Sequence, residues 1–152
     1  MKYRIATVTF VLAVALAGAV GAQIRPDFSG TWKLNADRSK FASEAPANVI
    51  VRFENDGRIL HETLTTARSG FKSTTKLIYN LDGGEIVNHV GDEEIKATAK
   101  WDGETLVLEW KDQGGTSTRR FAMAKDGKSM TMEVRDSDPN IPAGDVVVLD
   151  KQ

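Results

Sequence analysis

Asp-Gly occurs four times in this chain, at Asp56-Gly57, Asp82-Gly83, Asp102-Gly103 and Asp126-Gly127, each time between short runs in which apolar and polar residues alternate. Both central positions of a two-residue hairpin turn take positive φ, which glycine adopts freely and aspartate better than most residues. Strict alternation puts one face of a strand in a core and the other in water. The chain is therefore expected to be an all-β meander of antiparallel strands. Ten are expected, over 28–35, 49–55, 58–67, 71–81, 85–90, 94–101, 104–112, 116–124, 128–136 and 145–152. Their regular spacing suits a sandwich or barrel. The polar stretch 36–48 holds Pro46 and room for one helical turn.

A two-residue turn also fixes the register, and hence which side chains share a face. Around Asp102-Gly103 it pairs Ala99 with Leu106, Ala97 with Leu108 and Ile95 with Trp110 on one face, and Lys96 with Glu109 on the other. Around Asp126-Gly127 it pairs Met123 with Met130 and Phe121 with Met132, with Arg120 opposite Glu133 outside. Around Asp56-Gly57 it sets Phe53 against Leu60, Val51 against Glu62 and Val49 against Leu64, with His61 outside beside Arg52. The expected inner face is thus apolar with two exceptions, Glu62 and Arg119. A buried charge needs a partner, water or a polar ligand group. Either Glu62 and Arg119 pair with each other or lie hydrated near a barrel end, or Arg119 offers its forked donors to a ligand anion.

The N-terminus places Lys2 and Arg4 before the apolar run Ile5 to Val20 and the small-residue end Val20-Gly21-Ala22. That is the layout of a cleaved secretion signal, and the run is too short for a stable membrane span. The expected organisation is a signal peptide, 1–22, and one domain, 23–152, exported to the periplasm or secreted. Without the signal, 18 Lys and Arg stand against 21 Asp and Glu, which argues against a nucleic-acid partner. Cysteine is absent, which removes disulfides, thiolate metal sites and a lipid attachment point from consideration.

The segment Phe28-Ser29-Gly30-Thr31-Trp32-Lys33-Leu34 resembles the opening strand of the lipocalin and fatty-acid-binding-protein group, the calycins, whose Gly-x-Trp motif sits at the closed end of a barrel. The stretch from Trp101 to Gln152 is similar to exported bacterial lipocalin-like proteins of unassigned function. The resemblance implies an antiparallel up-and-down β-barrel of about eight to ten strands around a pocket for a small lipophilic molecule, with Trp32 at its base. It also implies an arginine covering that tryptophan, for which Arg119 is a candidate. The stretch 36–48 is too short for the helix pair that lids fatty-acid-binding proteins.

Barrels of this size can hold one small ligand, and apolar linings with a few polar groups are what such sites show. The candidate ligand-binding residues are Glu62, Tyr79, Leu108, Trp110, Arg119, Phe121 and Met132. The small residues Ala97 and Ala99 favour a hollow interior over a solid one. Enzyme readings find little support. His61 and His89 lack metal-ligand spacing, Ser69-Gly70 lacks a nucleophile elbow, and the adjacent Glu93 and Glu94 point to opposite faces of a strand. Asp136, Asp138, Asn140 and Asp145 have part of a calcium loop's spacing, but Ile141 stands where glycine is needed and Pro139 and Pro142 stiffen the segment, so a solvated turn is expected. No metal and no cofactor is expected. The reading is a non-enzymatic barrel that binds a small hydrophobic or amphipathic molecule. The alternative is a solid barrel whose outer apolar residues, such as Ile50, Ile59, Ile78 and Val87, meet a protein partner in the cell envelope.

Overall fold

The computed structural model describes residues 25–137 and 144–152. The expected signal segment, together with Asp138, Pro139, Asn140, Ile141 and Pro142, lies outside the described residues. The ten strands are β1 (Gly30–Leu34), β2 (Asn48–Asn55), β3 (Ile59–Arg68), β4 (Phe71–Asn80), β5 (Ile86–Val90), β6 (Glu93–Asp102), β7 (Thr105–Lys111), β8 (Thr116–Met123), β9 (Ser129–Asp136) and β10 (Asp145–Lys151). Between β1 and β2 a single 3-10 turn, Ala36–Arg38, starts at Asn35, whose side chain accepts a hydrogen bond from the Arg38 N–H. Lys40 then exchanges two backbone hydrogen bonds with Val146, which ties this connection to β10.

The turns at Asp56-Gly57 and Asp102-Gly103 are not built as expected. Asp56 N–H donates to the Ile59 carbonyl and Asp102 pairs with Thr105, so the central residues are Gly57-Arg58 and Gly103-Glu104. Asp56 instead accepts the N–H groups of Arg58 and Ile59 on its carboxylate, at 3.0 and 2.8 Å. This local side-chain bonding is the other reason aspartate favours turns, and it needs no positive φ. The register of both hairpins slides accordingly. Phe53 faces Glu62, Val51 faces Leu64, Ala99 faces Leu108 and Ala97 faces Trp110, while His61 lies opposite Glu54 rather than Arg52. A slide of two in register preserves the face of every side chain, so the inward set survives although its partners change. The expected Lys96–Glu109 pair is replaced by Lys96 with Glu85 and Lys111 with Glu109. Around Asp126-Gly127 the register is as expected, with Phe121 opposite Met132 and Arg119 opposite Val134.

Asp82-Gly83 departs furthest. The strand order is β4-β3-β2-β1-β10-β9-β8-β7-β6-β5, so the first and last strands pair while β4 and β5, consecutive in the chain, are the two edges. No ladder joins them. A side chain does: Asn88 of β5 accepts the Ile78 N–H at 2.7 Å and donates to the Ile78 carbonyl at 3.0 Å. An edge strand carries a row of unpaired backbone groups, and here one amide latches the two edges into a nearly closed barrel.

One end of the barrel is sealed. Phe28 precedes β1, rather than belonging to it, and folds over the opening. Its ring lies 6.5 Å from both Phe53 and Phe121 and 6.1 Å from Trp101. Its carbonyl accepts the Trp32 Nε1–H at 2.8 Å. Ala97 and Ala99 are fully buried in the apolar core and do not line the cavity at the opposite end of the barrel. The half of the barrel next to Phe28 is therefore a packed core.

Candidate functional site

Glu62 on β3 and Arg119 on β8 both point inward, and the barrel brings them into contact. Each is about 2% exposed. Arg119 grips the Glu62 carboxylate with both terminal nitrogens, at 2.5 and 2.7 Å. Tyr79 on β4 completes the group, its hydroxyl accepting from Arg119 and donating to Glu62, each at 3.1 Å. Bidentate geometry of this kind is the strongest arrangement available to the two charges. The guanidinium also stacks on Trp110, with 4.1 Å from its central carbon to the ring centroid. Burial is the largest influence and disfavours the Arg119 cation, but the Glu62 carboxylate and the Tyr79 hydroxyl together outweigh it and raise its pKa above the ordinary arginine value. Burial first, and then the adjacent Glu62 charge, push the Tyr79 hydroxyl far above the usual phenol range. Both therefore keep their protons at any physiological pH.

Beyond this group, toward the end opposite Phe28, lies a cavity of about 330 Å³. Trp110, Arg119 and Met132 line it with Val49, Leu64, Val134 and Val147, and the β1–β2 connection contributes Phe41 and Pro46. Thr66, Arg68 and Asp145 bring polar groups to the same lining. Of the sequence candidates, Trp110, Arg119 and Met132 thus reach the cavity. Glu62 and Tyr79 are not part of its lining; they meet it through Arg119. Leu108 and Phe121 are fully buried in the packed core and do not line it. Sequence reasoning missed Phe41, Pro46, Val134 and Val147. Phe41 had a signal: it is the one large apolar residue in the polar stretch 36–48.

A broader depression of about 520 Å³ runs along the seam between β4 and β5. Its lining includes His61, Thr63, Lys76 and His89, which already reach water, so it offers little to an apolar ligand. Among the described residues no cluster of His, Asp or Glu could hold a metal ion, and no helix is long and apolar enough to cross a membrane.

At the level of sequence no family model and no curated protein matches the chain. Solved structures do match in shape. REP1-NXSQ fatty acid transporter superposes with a TM-score of 0.60 at 18% identity, over 82% of this chain and 95% of that one. A secretory abundant heat soluble protein from Ramazzottius varieornatus gives 0.64 at 14% identity, over 82% and 95%. Fatty-acid-binding protein 1 of Echinococcus granulosus gives 0.58 at 14% identity, over 82% and 96%. The chain has the calycin fold.

Within the calycin fold the Gly-x-Trp residues take the place the sequence implied but acquire a different cover. Lys151, not Arg119, lies over Trp32, with its ammonium 5.2 Å from the ring centroid. Gly30 makes this approach feasible: a Cβ there would sit 3.2 Å from the Lys151 stem, and its φ of +126° is one that other residues rarely adopt. Arg119 covers Trp110 instead, and that places it beside the cavity rather than at the barrel base.

Proposed function

We propose that this protein binds one small hydrophobic or amphipathic molecule inside its barrel, and does so outside the cytoplasm after export by its N-terminal segment. The observation that carries the reading is the cavity itself. It lies at the low end of the range of small-molecule sites, and its walls are mostly apolar with a few convergent polar groups. Two of the structures that share the fold are a fatty acid transporter and a fatty-acid-binding protein. The composition of residues 1–22 supports export.

Titration with a neutral lipophilic dye such as Nile red tests the binding role. Saturable one-to-one binding is expected, weakened at least tenfold by Leu64→Trp, which fills the cavity from β3. Binding without saturation, or unchanged by that substitution, would remove the cavity as the site. A second reading, an outer-face contact with another protein, rests on Ile78 and Val87, which are 39% and 45% exposed on either side of the seam. Val87→Lys would then abolish association seen by sedimentation and leave dye binding intact.

A further inference from the structure

We infer that the cavity selects an uncharged ligand, an apolar molecule ending in a neutral polar group such as a hydroxyl or ester, over a carboxylate of the same length. The inference deepens the proposed binding role and rests on it. An arginine beside an apolar pocket would by itself invite an acid, because its planar fork matches a carboxylate with two parallel hydrogen bonds. In this barrel Glu62 already fills the end of that fork: both terminal nitrogens of Arg119 are committed to it, and Nη2 also meets the Tyr79 hydroxyl. The buried Nε–H, without a partner among the described residues, is a single donor that suits a neutral oxygen rather than a bidentate carboxylate. The indole of Trp110 stacks on the guanidinium. A ligand carboxylate arriving at Arg119 would meet a guanidinium with its charge cancelled and a buried Glu62 of its own sign behind it.

The mouth gives no net attraction either. Arg68 and Asp145 both line the cavity and carry opposite charges, and Asp145 is further held by the Ala42 N–H at 2.8 Å. Among the described residues the charges in and directly behind the cavity wall therefore sum to zero. Carrying an ionised headgroup into such a site without a free counter-charge is far more costly than the loss a hydroxyl or ester incurs on leaving water. Size narrows the class further. At roughly 30 Å³ for each water-sized unit, the cavity admits a ligand of about eleven heavy atoms.

Decan-1-ol and decanoate, compared by calorimetric titration of the purified protein at pH 7.5, provide the test. The alcohol is expected to bind at least tenfold more tightly. In Glu62→Gln, which leaves the arginine charge uncompensated, the preference is expected to shift toward decanoate by at least tenfold. If wild-type protein binds decanoate as tightly as the alcohol or more tightly, the inference fails while the cavity keeps its binding role. If neither compound binds and Nile red does not bind either, the binding role itself fails. Should Glu62→Gln not fold, the wild-type comparison alone decides.

Discussion

Removing the Glu62 charge while keeping its shape, as in Glu62→Gln, leaves the Arg119 guanidinium buried at 2% exposure with no counter-ion. The carboxylate offers acceptors to two guanidinium nitrogens. An amide offers one and turns a donor toward the other, so one charge-assisted hydrogen bond, worth about 1.5–3 kcal/mol, is lost outright. Breaking a buried ion pair from one side costs about 3–5 kcal/mol in all, and the retained amide bond recovers about 1 kcal/mol of that. The expected destabilisation is therefore about 3 kcal/mol, a large share of the stability of a small domain. Arg119 does not escape by losing its proton, since a guanidinium stays protonated in proteins even when buried, so the loss should be the same across the neutral pH range. The double variant Glu62→Met with Arg119→Met replaces both charges by apolar groups and is expected to return to within about 1–2 kcal/mol of wild type. Urea unfolding followed by tryptophan fluorescence measures all three proteins. A loss below about 1 kcal/mol for the single variant, or a double variant no more stable than the single, would refute the claim that this pair is desolvated and mutually dependent.

The seam and the first hairpin give two further expectations. Asn88→Ala removes two hydrogen bonds to Ile78, one of them to its N–H, and should cost about 1–3 kcal/mol, with hydrogen exchange of the Ile78 amide accelerating more than that of amides in β7. Equal acceleration throughout would show that β4 and β5 are held by something other than this side chain. The Asp56 carboxyl, which accepts the N–H groups of Ile59 and Arg58, has its pKa lowered by those bonds. Its contribution to stability is thus present above the unfolded value near ~3.9 and is lost as the pH falls through the folded value. NMR titration should place its midpoint below that of a free aspartate, and a midpoint at or above ~3.9 would contradict the turn geometry.

Side-chain facing was legible from sequence because it depends only on parity along each strand. Glu62 and Arg119 were expected inward and are inward, even though the register around Asp56-Gly57 moved. Exact partners were not legible, because Asp-Gly can place aspartate inside a turn or just before it, and both solutions satisfy the same residues. That Asp82-Gly83 separates two unpaired edges was also hidden: Asn88 reads as an ordinary strand residue until Ile78 is seen across from it. The exchange of roles between Lys151 and Arg119 is a matter of three-dimensional proximity. Lys151 reaches Trp32 only because β10 returns beside β1, and no local pattern records that. The question of a hollow or solid interior had two correct halves, with aromatic packing near Phe28 and a void near Phe41.

The pairing of β1 with β10 has a consequence for the life history of the chain. Trp32 lies beside Lys151, so the ladder that joins the two halves of the sheet links segments separated by almost the whole domain. Loop closure over such a span is paid in entropy before the contact returns anything, which places it late in folding. A chain emerging from its N-terminus can pair its Gly-x-Trp strand with β2 on one side, but the other side of that strand stays unpaired until β10 has followed. The order of emergence thus keeps the barrel incomplete until its last strand has been made, and the β1–β10 ladder is the step that joins the two halves of the sheet.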